Sequence, residues 1–81
     1  MTHELKCVNP YFSEVFCGLK TFEVRKNDRD FQLDDNIILK EYENEQYTGD
    51  EVYATITYIL PGGQFGIEPG YVVMGIYVLE T

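Results

Sequence analysis

Two-residue alternation of apolar and polar side chains runs through most of this chain and constrains its fold more than any other feature. Alternation with this period is typical of β-strands, because successive side chains of a strand point to opposite faces. Five segments carry it: residues 3–7, 21–25, 36–43, 51–60 and 71–79. Residues 61–70 hold four glycines and two prolines and cannot be regular structure. We expect an acidic turn over residues 44–50.

A single helix signal follows the first strand segment. Asn9-Pro10 offers an N-cap and then a proline at the first helical position, apolar residues recur at helical spacing from Tyr11 to Phe16, and Gly18 is a natural stop. The sequence predicts a helix of about two turns. Five strands and one short helix are too few for a two-sheet sandwich. We therefore expect one α+β, mostly β domain over residues 1–81, a small five-stranded, partly closed β-barrel with the helix plugging one end.

The alternation also predicts which side chains face the core. In residues 21–25, Phe22 and Val24 are expected to face inward, and Glu23 and Arg25 to share the other face. Even-numbered residues from 52 to 60 form one apolar face, and residues 71–79 are apolar on both faces, as in a strand covered on each side. We expect residues 26–35 to form a polar loop that Phe31 and Leu33 anchor to the core.

The charge balance limits the partners of the chain. Fourteen acidic against six basic residues give a formal charge of −8, so the molecule as a whole repels nucleic acid and anionic membranes at long range. Four of the six bases fall in residues 20–30 beside three acids, so this window carries +1 and the remainder −9. A small anionic ligand is expected to bind there at short range.

The cysteine, histidine and aspartate positions predict neither a metal site nor a cofactor. Cys7 and Cys17 are too far apart for a CxxC motif, and His3 alone completes no set of zinc ligands. We expect two buried or half-buried free thiols, a packed His3 rather than a proton carrier, and solvated turn roles for the aspartates at positions 28, 30, 34 and 35. No apolar run is long enough for a bilayer and no signal-peptide pattern starts the chain, which predicts a cytoplasmic protein without a membrane partner.

The spacing Gly18-x-Lys20-x-x-Glu23-x-Arg25 is the most informative motif. A carboxylate held between two cations stays ionised and fixes both of their side chains. The resulting fork of donors suits a phosphate, a carboxylate or a base edge. The alternative is an exposed salt-bridge ladder, which would contribute roughly 0–1 kcal/mol.

This octapeptide resembles the GxKxxExR signature of the ASCH domain, a relative of the PUA RNA-binding fold. Further segments resemble a small single-domain ASCH-like family of bacteria and their phages without a settled function: His3-Glu4-Leu5-Lys6, residues 20–31, Tyr47-Thr48-Gly49, Ile56-Thr57-Tyr58-Ile59, Gly62-Gly63-Gln64-Phe65-Gly66 and Gly70-Tyr71-Val72-Val73. The resemblance implies a PUA-like five-stranded barrel. It departs at Leu33-Asp34-Asp35-Asn36, where similar proteins have glycine before the aspartate, so we expect a strained turn with positive φ at Asp34.

The resemblance also implies a cleft between helix and barrel, suited to RNA or a nucleotide. Carried over by position, Lys20, Glu23 and Arg25 are its signature groups. Neighbouring and loop residues extend the predicted ligand-binding set: Lys26, Asp28, Arg29, Gln64, Phe65 and Tyr71. Gln64 would bond a base edge and Phe65 would stack on it, unless Phe65 folds back onto the core. For Tyr71, barrel packing is the alternative.

Three functions follow as hypotheses. The leading one is an RNA- or nucleotide-binding module with weak, salt-sensitive affinity. The second, implied by ASCH-like enzymes that cleave the amide of acetylcytidine, is a small amidohydrolase of acetylated pyrimidine nucleosides in which Lys20 and Glu23 activate a water. Glu23 stands where the nucleophilic threonine of those enzymes is expected, and Thr21 has the wrong spacing. The third is an acidic adaptor that binds a basic partner protein.

Overall fold

The computed structural model describes residues 1–80, and they form one five-stranded sheet, curled into a half-barrel, with one short helix. The elements are β1 (Thr2–Val8), α1 (Tyr11–Phe16), β2 (Phe22–Lys26), β3 (Asn36–Glu43), β4 (Gln46–Pro61) and β5 (Tyr71–Glu80). The predicted class, a mostly β fold of five strands with one short helix after the first strand, is confirmed. No helix of residues 1–80 is long and apolar enough to cross a membrane.

The sheet order places the first two strands of the chain at opposite edges. The order is β1-β3-β4-β5-β2, in which β1 pairs with β3 in parallel and the other pairs are antiparallel. The core is formed by alternate residues of β1 and of the three central strands, joined by Phe31 and by Phe12 and Val15 from the helix. The curl of the sheet brings its two edges close enough for side chains of β2 to contact the backbone of β1.

The helix is shorter than predicted and begins one residue later. Pro10 occupies the N-cap rather than the first helical position, yet the Asn9 side chain still caps the helix. Asn9 Oδ1 accepts hydrogen bonds from the backbone N–H of Ser13 at 3.1 Å and from its hydroxyl at 2.8 Å. Gly18 has φ +86°, the left-handed conformation expected just past a helix end.

Two local features of the backbone change the predicted strands. Asn44 and Glu45 both have positive φ, as in a two-residue hairpin turn, so the acidic residues after them belong to β4 and the predicted seven-residue turn is wrong. Thr57 is an extra residue in the pairing of β4 with β5, and this bulge turns Tyr58 outward. The expectation that β5 is covered on both faces is also wrong, since Tyr77 is exposed.

The polar loop before β3 contains a buried carboxylate. Asp35 is buried, and its Oδ2 accepts a hydrogen bond from His3 Nε2 at 2.8 Å and another from the backbone N–H of Gln32. His3 packs edge-on against Phe31, with ring centroids 4.8 Å apart. His3 is thus the packed side chain that was expected, but the solvated role expected for Asp35 is wrong. Phe31 is buried as predicted, whereas Leu33 is exposed.

The turn at Asp34 has the predicted positive φ. Its φ is +70°, in the left-handed region that glycine adopts freely and that aspartate tolerates better than most residues. The turn directs the neighbouring Asp35 inward, and Asp34 N–H and Asp35 C=O both bond to Ile56 of β4.

We predict that Asp35 makes folding sensitive to acid. The hydrogen bond from His3 is the main cause that lowers the pKa of Asp35 to about 2. The stability contributed by its ionised form is therefore fully present above the usual aspartate pKa of about 3.9. It is lost as the pH falls toward 2.

Urea unfolding between pH 2 and 5 checks this expectation. The decline of the unfolding free energy over that window should be shallower for Asp35→Asn than for the wild type. Asp50→Asn, on exposed β4 backbone, should keep the wild-type slope. Equal slopes for the wild type and Asp35→Asn would contradict the assignment.

Candidate functional site

A cleft of about 680 Å³ opens between α1, the end of β1 and the free edge of β2. Its walls are mostly apolar and come from Cys7, Val8, Tyr11, Leu19, Phe22 and Val24. Its polar groups come from Lys6, Glu14, Lys20, Glu23 and Arg25. The predicted cleft beside the helix therefore exists, and the three signature residues line it together.

Glu23 holds the two signature cations in place. Its side chain is only 5% exposed, and Lys20 Nζ lies 2.7 Å from Oε1 while Arg25 Nε lies 3.0 Å from Oε2. Both carboxylate oxygens thus accept a charged hydrogen bond, which is the condition under which a carboxylate can be buried. The alternative of an exposed salt-bridge ladder is wrong, because the acid at its centre is buried.

The face assignment of β2 is inverted relative to the prediction. Glu23 points inward, and Phe22 and Val24 are about half exposed. Alternation identifies two faces but does not say which one is buried, and the apolar pair was the natural choice. Here β2 is an edge strand, and its outward apolar side chains form a wall of the cleft instead of entering the core.

The edges of β1 and β2 form a seam that side chains close. Thr21 C=O accepts from β5 and Asn27 N–H donates to the carbonyl of Gly70, just before β5. The alternate residues Phe22, Val24 and Lys26 therefore direct their backbone groups away from β5 toward the seam. Within residues 1–80, β1 and β2 are not neighbours in the hydrogen-bonded sheet. Cationic side chains bridge the two edges where a ladder of backbone hydrogen bonds would join neighbouring strands.

Three cationic side chains donate to carbonyls along this seam. Arg25 Nη2 donates to the Lys6 carbonyl at 2.8 Å and Arg29 Nη1 to the Glu4 carbonyl at 2.9 Å, both on β1. Lys20 Nζ donates to the Phe22 carbonyl on β2 at 2.8 Å. The signature therefore has a structural role in closing the half-barrel, in addition to lining the cleft.

The adjoining predicted residues line a second, smaller hollow along the same seam. It measures about 230 Å³ and its walls include Arg25, Lys26, Asp28 and Arg29. Arg25 and Lys6 line both spaces, so the hollow adjoins the cleft.

The glycine-rich loop residues lie away from the cleft. Tyr71 pairs with Lys26, at the end of β2 opposite Lys20, and Gln64 and Phe65 lie in the loop that precedes Tyr71. Gln64 donates to the Pro61 carbonyl, and Phe65 is 81% exposed, so the alternative that it folds onto the core is wrong. None of the three lines the cleft.

Sequence reasoning predicted a cleft beside the helix but did not include the residues on its helix side in the ligand-binding set. Tyr11 is about half exposed and Leu19 is strongly exposed, and both line the cleft. An exposed aromatic residue at the start of a helix whose other face is apolar was the available signal. Cys7 was expected to be buried and is, but Cys17 is exposed. Burial raises the pKa of Cys7 to about 11, with Glu23 as the next cause, so its thiol stays protonated near neutral pH.

The comparisons with known proteins give relatives without an assigned role. A family model described as a domain of unknown function (DUF3850) matches residues 2–76. An uncharacterized 12.9 kDa protein in the GpA 3′ region of Escherichia phage P2 is 42% identical over 55 residues, which is 68% of this chain. The aligned segment spans 50% of the phage protein. Among residues 1–80, no three His, Cys, Asp or Glu side chains are grouped to hold a metal ion.

Proposed function

The chain belongs to a family of unknown function, DUF3850, and we propose that it is an RNA- or nucleotide-binding module of the ASCH/PUA-like kind whose ligand occupies the cleft. The observation that carries this proposal is the buried Glu23 with a cation on each carboxylate oxygen, at the base of an apolar cleft. Charged groups that are fixed before binding recognise a polar ligand without a large ordering cost.

The signature cations keep hydrogen-bond donors for a ligand. Arg25 has five N–H donors, and two are engaged, by Glu23 and by the Lys6 carbonyl. Lys20 has three, and two are engaged, by Glu23 and by the Phe22 carbonyl. The triad carries a net charge of +1. It therefore favours a ligand with acceptor atoms, such as a base edge or an anionic group.

The walls and size of the cleft suit a nucleobase. Tyr11 and Phe22 present half-exposed aromatic rings, on which a base can stack whatever its sequence. The volume of about 680 Å³ falls within the roughly 300–1,000 Å³ of small-ligand sites. The formal charge of −8 opposes a long polyanion and favours a short or mononucleotide ligand bound with salt-sensitive affinity.

The amidohydrolase hypothesis has less support from this geometry. A general base needs a carboxylate oxygen that can accept a proton from water, and both oxygens of Glu23 already accept hydrogen bonds from cations. Thr21 does not line the cleft, and the Cys7 thiol is held protonated. The hypothesis of an acidic adaptor relies on the formal charge of −9 outside residues 20–30. It predicts that a basic partner binds elsewhere on the surface and does not contact the cleft.

Titration of the protein with nucleosides, nucleotides and short RNAs, followed by amide NMR shifts at low salt, tests the proposal. Shifts should concentrate on residues that line the cleft. Lys20→Ala and Arg25→Ala should each weaken binding about tenfold or more, since a hydrogen bond to a charged group is worth roughly 1.5–3 kcal/mol.

Lys40→Ala is the matched control. Lys40 also pairs with a carboxylate, Glu4, but does not line the cleft, and its loss should leave affinity within about twofold. Unchanged binding by folded Lys20→Ala and Arg25→Ala would refute the proposal. Turnover of acetylated pyrimidine nucleosides would replace it with the amidohydrolase hypothesis.

A further inference from the structure

The hollow beside the cleft concentrates cations in a strongly acidic protein. Four of the six basic residues, Lys6, Arg25, Lys26 and Arg29, line it, against one acid, Asp28. The rest of the chain carries the other thirteen acids, yet neither Lys26 nor Arg29 forms an ion pair among the described residues. The hollow is therefore a local excess of positive charge that the protein itself does not neutralise.

We infer that this hollow binds the phosphate group of a nucleotide whose base lies in the cleft. The inference deepens the proposed function and rests on it for the position of the base. The hollow of about 230 Å³ is large enough for a phosphate and has about a third of the volume of the cleft. Base and phosphate would then lie on either side of Arg25, which lines both spaces.

The donors around the hollow are held in place by the backbone. Arg29 Nη1 is fixed on the Glu4 carbonyl and Arg25 Nη2 on the Lys6 carbonyl, so both guanidinium groups are anchored while other N–H groups remain. Lys26 supplies an ammonium without a hydrogen-bond partner among residues 1–80, and its own backbone N–H faces the seam. Anchored guanidinium groups beside a mobile ammonium suit the tetrahedral oxygens of phosphate.

The energetic reason for a separate phosphate position lies in the charge distribution. Three cations and two acids, Glu14 and Glu23, line the cleft, whereas four cations and one acid line the hollow, so the cleft is less favourable to a dianion than the hollow. A phosphate monoester carries close to two negative charges at neutral pH. Its electrostatic gain is largest where three cations without an ion pair, Lys6, Lys26 and Arg29, surround a space that Arg25 also lines.

The test compares ligands with and without phosphate on the same variants. A nucleoside, its 5′-monophosphate, inorganic phosphate, and a trinucleotide RNA with and without a 5′-phosphate are titrated by NMR at low salt. The phosphate should strengthen nucleoside binding about tenfold, with added shifts at residues 25, 26 and 29. The two RNA forms show whether an RNA end supplies the phosphate as well as a free nucleotide does.

Lys26→Gln is the decisive variant, because this side chain forms no hydrogen bond or ion pair with the described residues. It should remove most of the affinity that the phosphate group adds to nucleoside binding, and it should leave the affinity for the nucleoside itself unchanged. Lys40→Gln should keep the full gain. Arg29→Ala should act in the same direction as Lys26→Gln, and Arg29→Lys separates lost anion binding from a loosened seam, since it retains the charge.

The outcomes separate this inference from the proposed function. If nucleosides bind the cleft and a phosphate group does not increase their affinity, the inferred phosphate site is wrong and the proposed function stands. If inorganic phosphate shifts the amide signals of residues 25, 26 and 29 but no nucleoside binds, the inferred phosphate site stands and the proposed function is wrong. If neither ligand produces shifts, both are wrong. If the phosphate group increases affinity equally in the wild type and in Lys26→Gln, the inferred phosphate site is also wrong.

Discussion

Glu23→Gln is expected to lower the free energy of unfolding by about 3 kcal/mol, as is typical when one partner of a buried ion pair is removed. The amide fits the same space, but it carries no charge and offers one acceptor oxygen for two cations. Lys20 and Arg25 would then keep like charges beside each other without the anion that separates them. Thermal unfolding should show a midpoint lowered by roughly 12–24 °C for a domain of this size.

Glu4→Gln supplies the control for this expectation. The change in chemistry is the same, and Glu4 also pairs with a lysine, Lys40, at 3.1 Å. Glu4 is 63% exposed, so water replaces the lost partner and the cost should stay below about 1 kcal/mol. Equal losses in the two variants would mean that burial of Glu23 does not determine the effect. Lower ligand affinity of Glu23→Gln at a temperature where it is folded would add support for the cleft.

Phe12→Ala is expected to cost about 3–5 kcal/mol, the usual loss when a buried phenylalanine is truncated. Phe12 is 3% exposed and, with Val15, is the apolar contact that fixes α1 against the sheet. A six-residue helix has little stability of its own, so tertiary packing must hold it in place. The variant should therefore lose the helix wall of the cleft, and with it ligand binding, before the sheet unfolds.

Phe16→Ala makes the same truncation on the same helix with a different expected result. Phe16 is 49% exposed, and its ring centroid lies 6.2 Å from that of Phe12. Its loss should cost about 1 kcal/mol or less and leave the cleft intact. Urea unfolding gives the two stabilities, and the NMR shifts of Tyr11 report separately on the helix wall. A cost of Phe16→Ala as large as that of Phe12→Ala would contradict this account.

The sequence predicted the elements of the fold well because local patterns determine them. Period-two alternation located all five strands, and the caps at Asn9 and Gly18 located the helix to within one residue. The strand order was not predictable in this way, because pairing between β1 and β3 or between β5 and β2 joins residues far apart in the chain. The bulge at Thr57 depends on the partner strand, so the single-strand pattern placed Tyr58 on the wrong face.

The candidate site was predicted in composition but not in orientation. The spacing of Lys20, Glu23 and Arg25 correctly indicated that one carboxylate would hold both cations. It could not show that Glu23 is buried, because a charged residue on an alternating strand is normally assigned to the solvent face. Nor could it show that Arg25 and Arg29 bond to β1, since that contact requires the curl of the whole sheet.

The cations along the seam also bear on self-association of the protein. Exposed strand edges offer rows of unpaired carbonyl and amide groups on which another chain can add a strand, a common start of aggregation. Arg25 and Arg29 already occupy the outward carbonyls of Lys6 and Glu4 on β1, and Lys20 occupies that of Phe22 on β2. The same side chains that border the cleft and the hollow thus deny incoming strands a template and favour solubility of the folded chain.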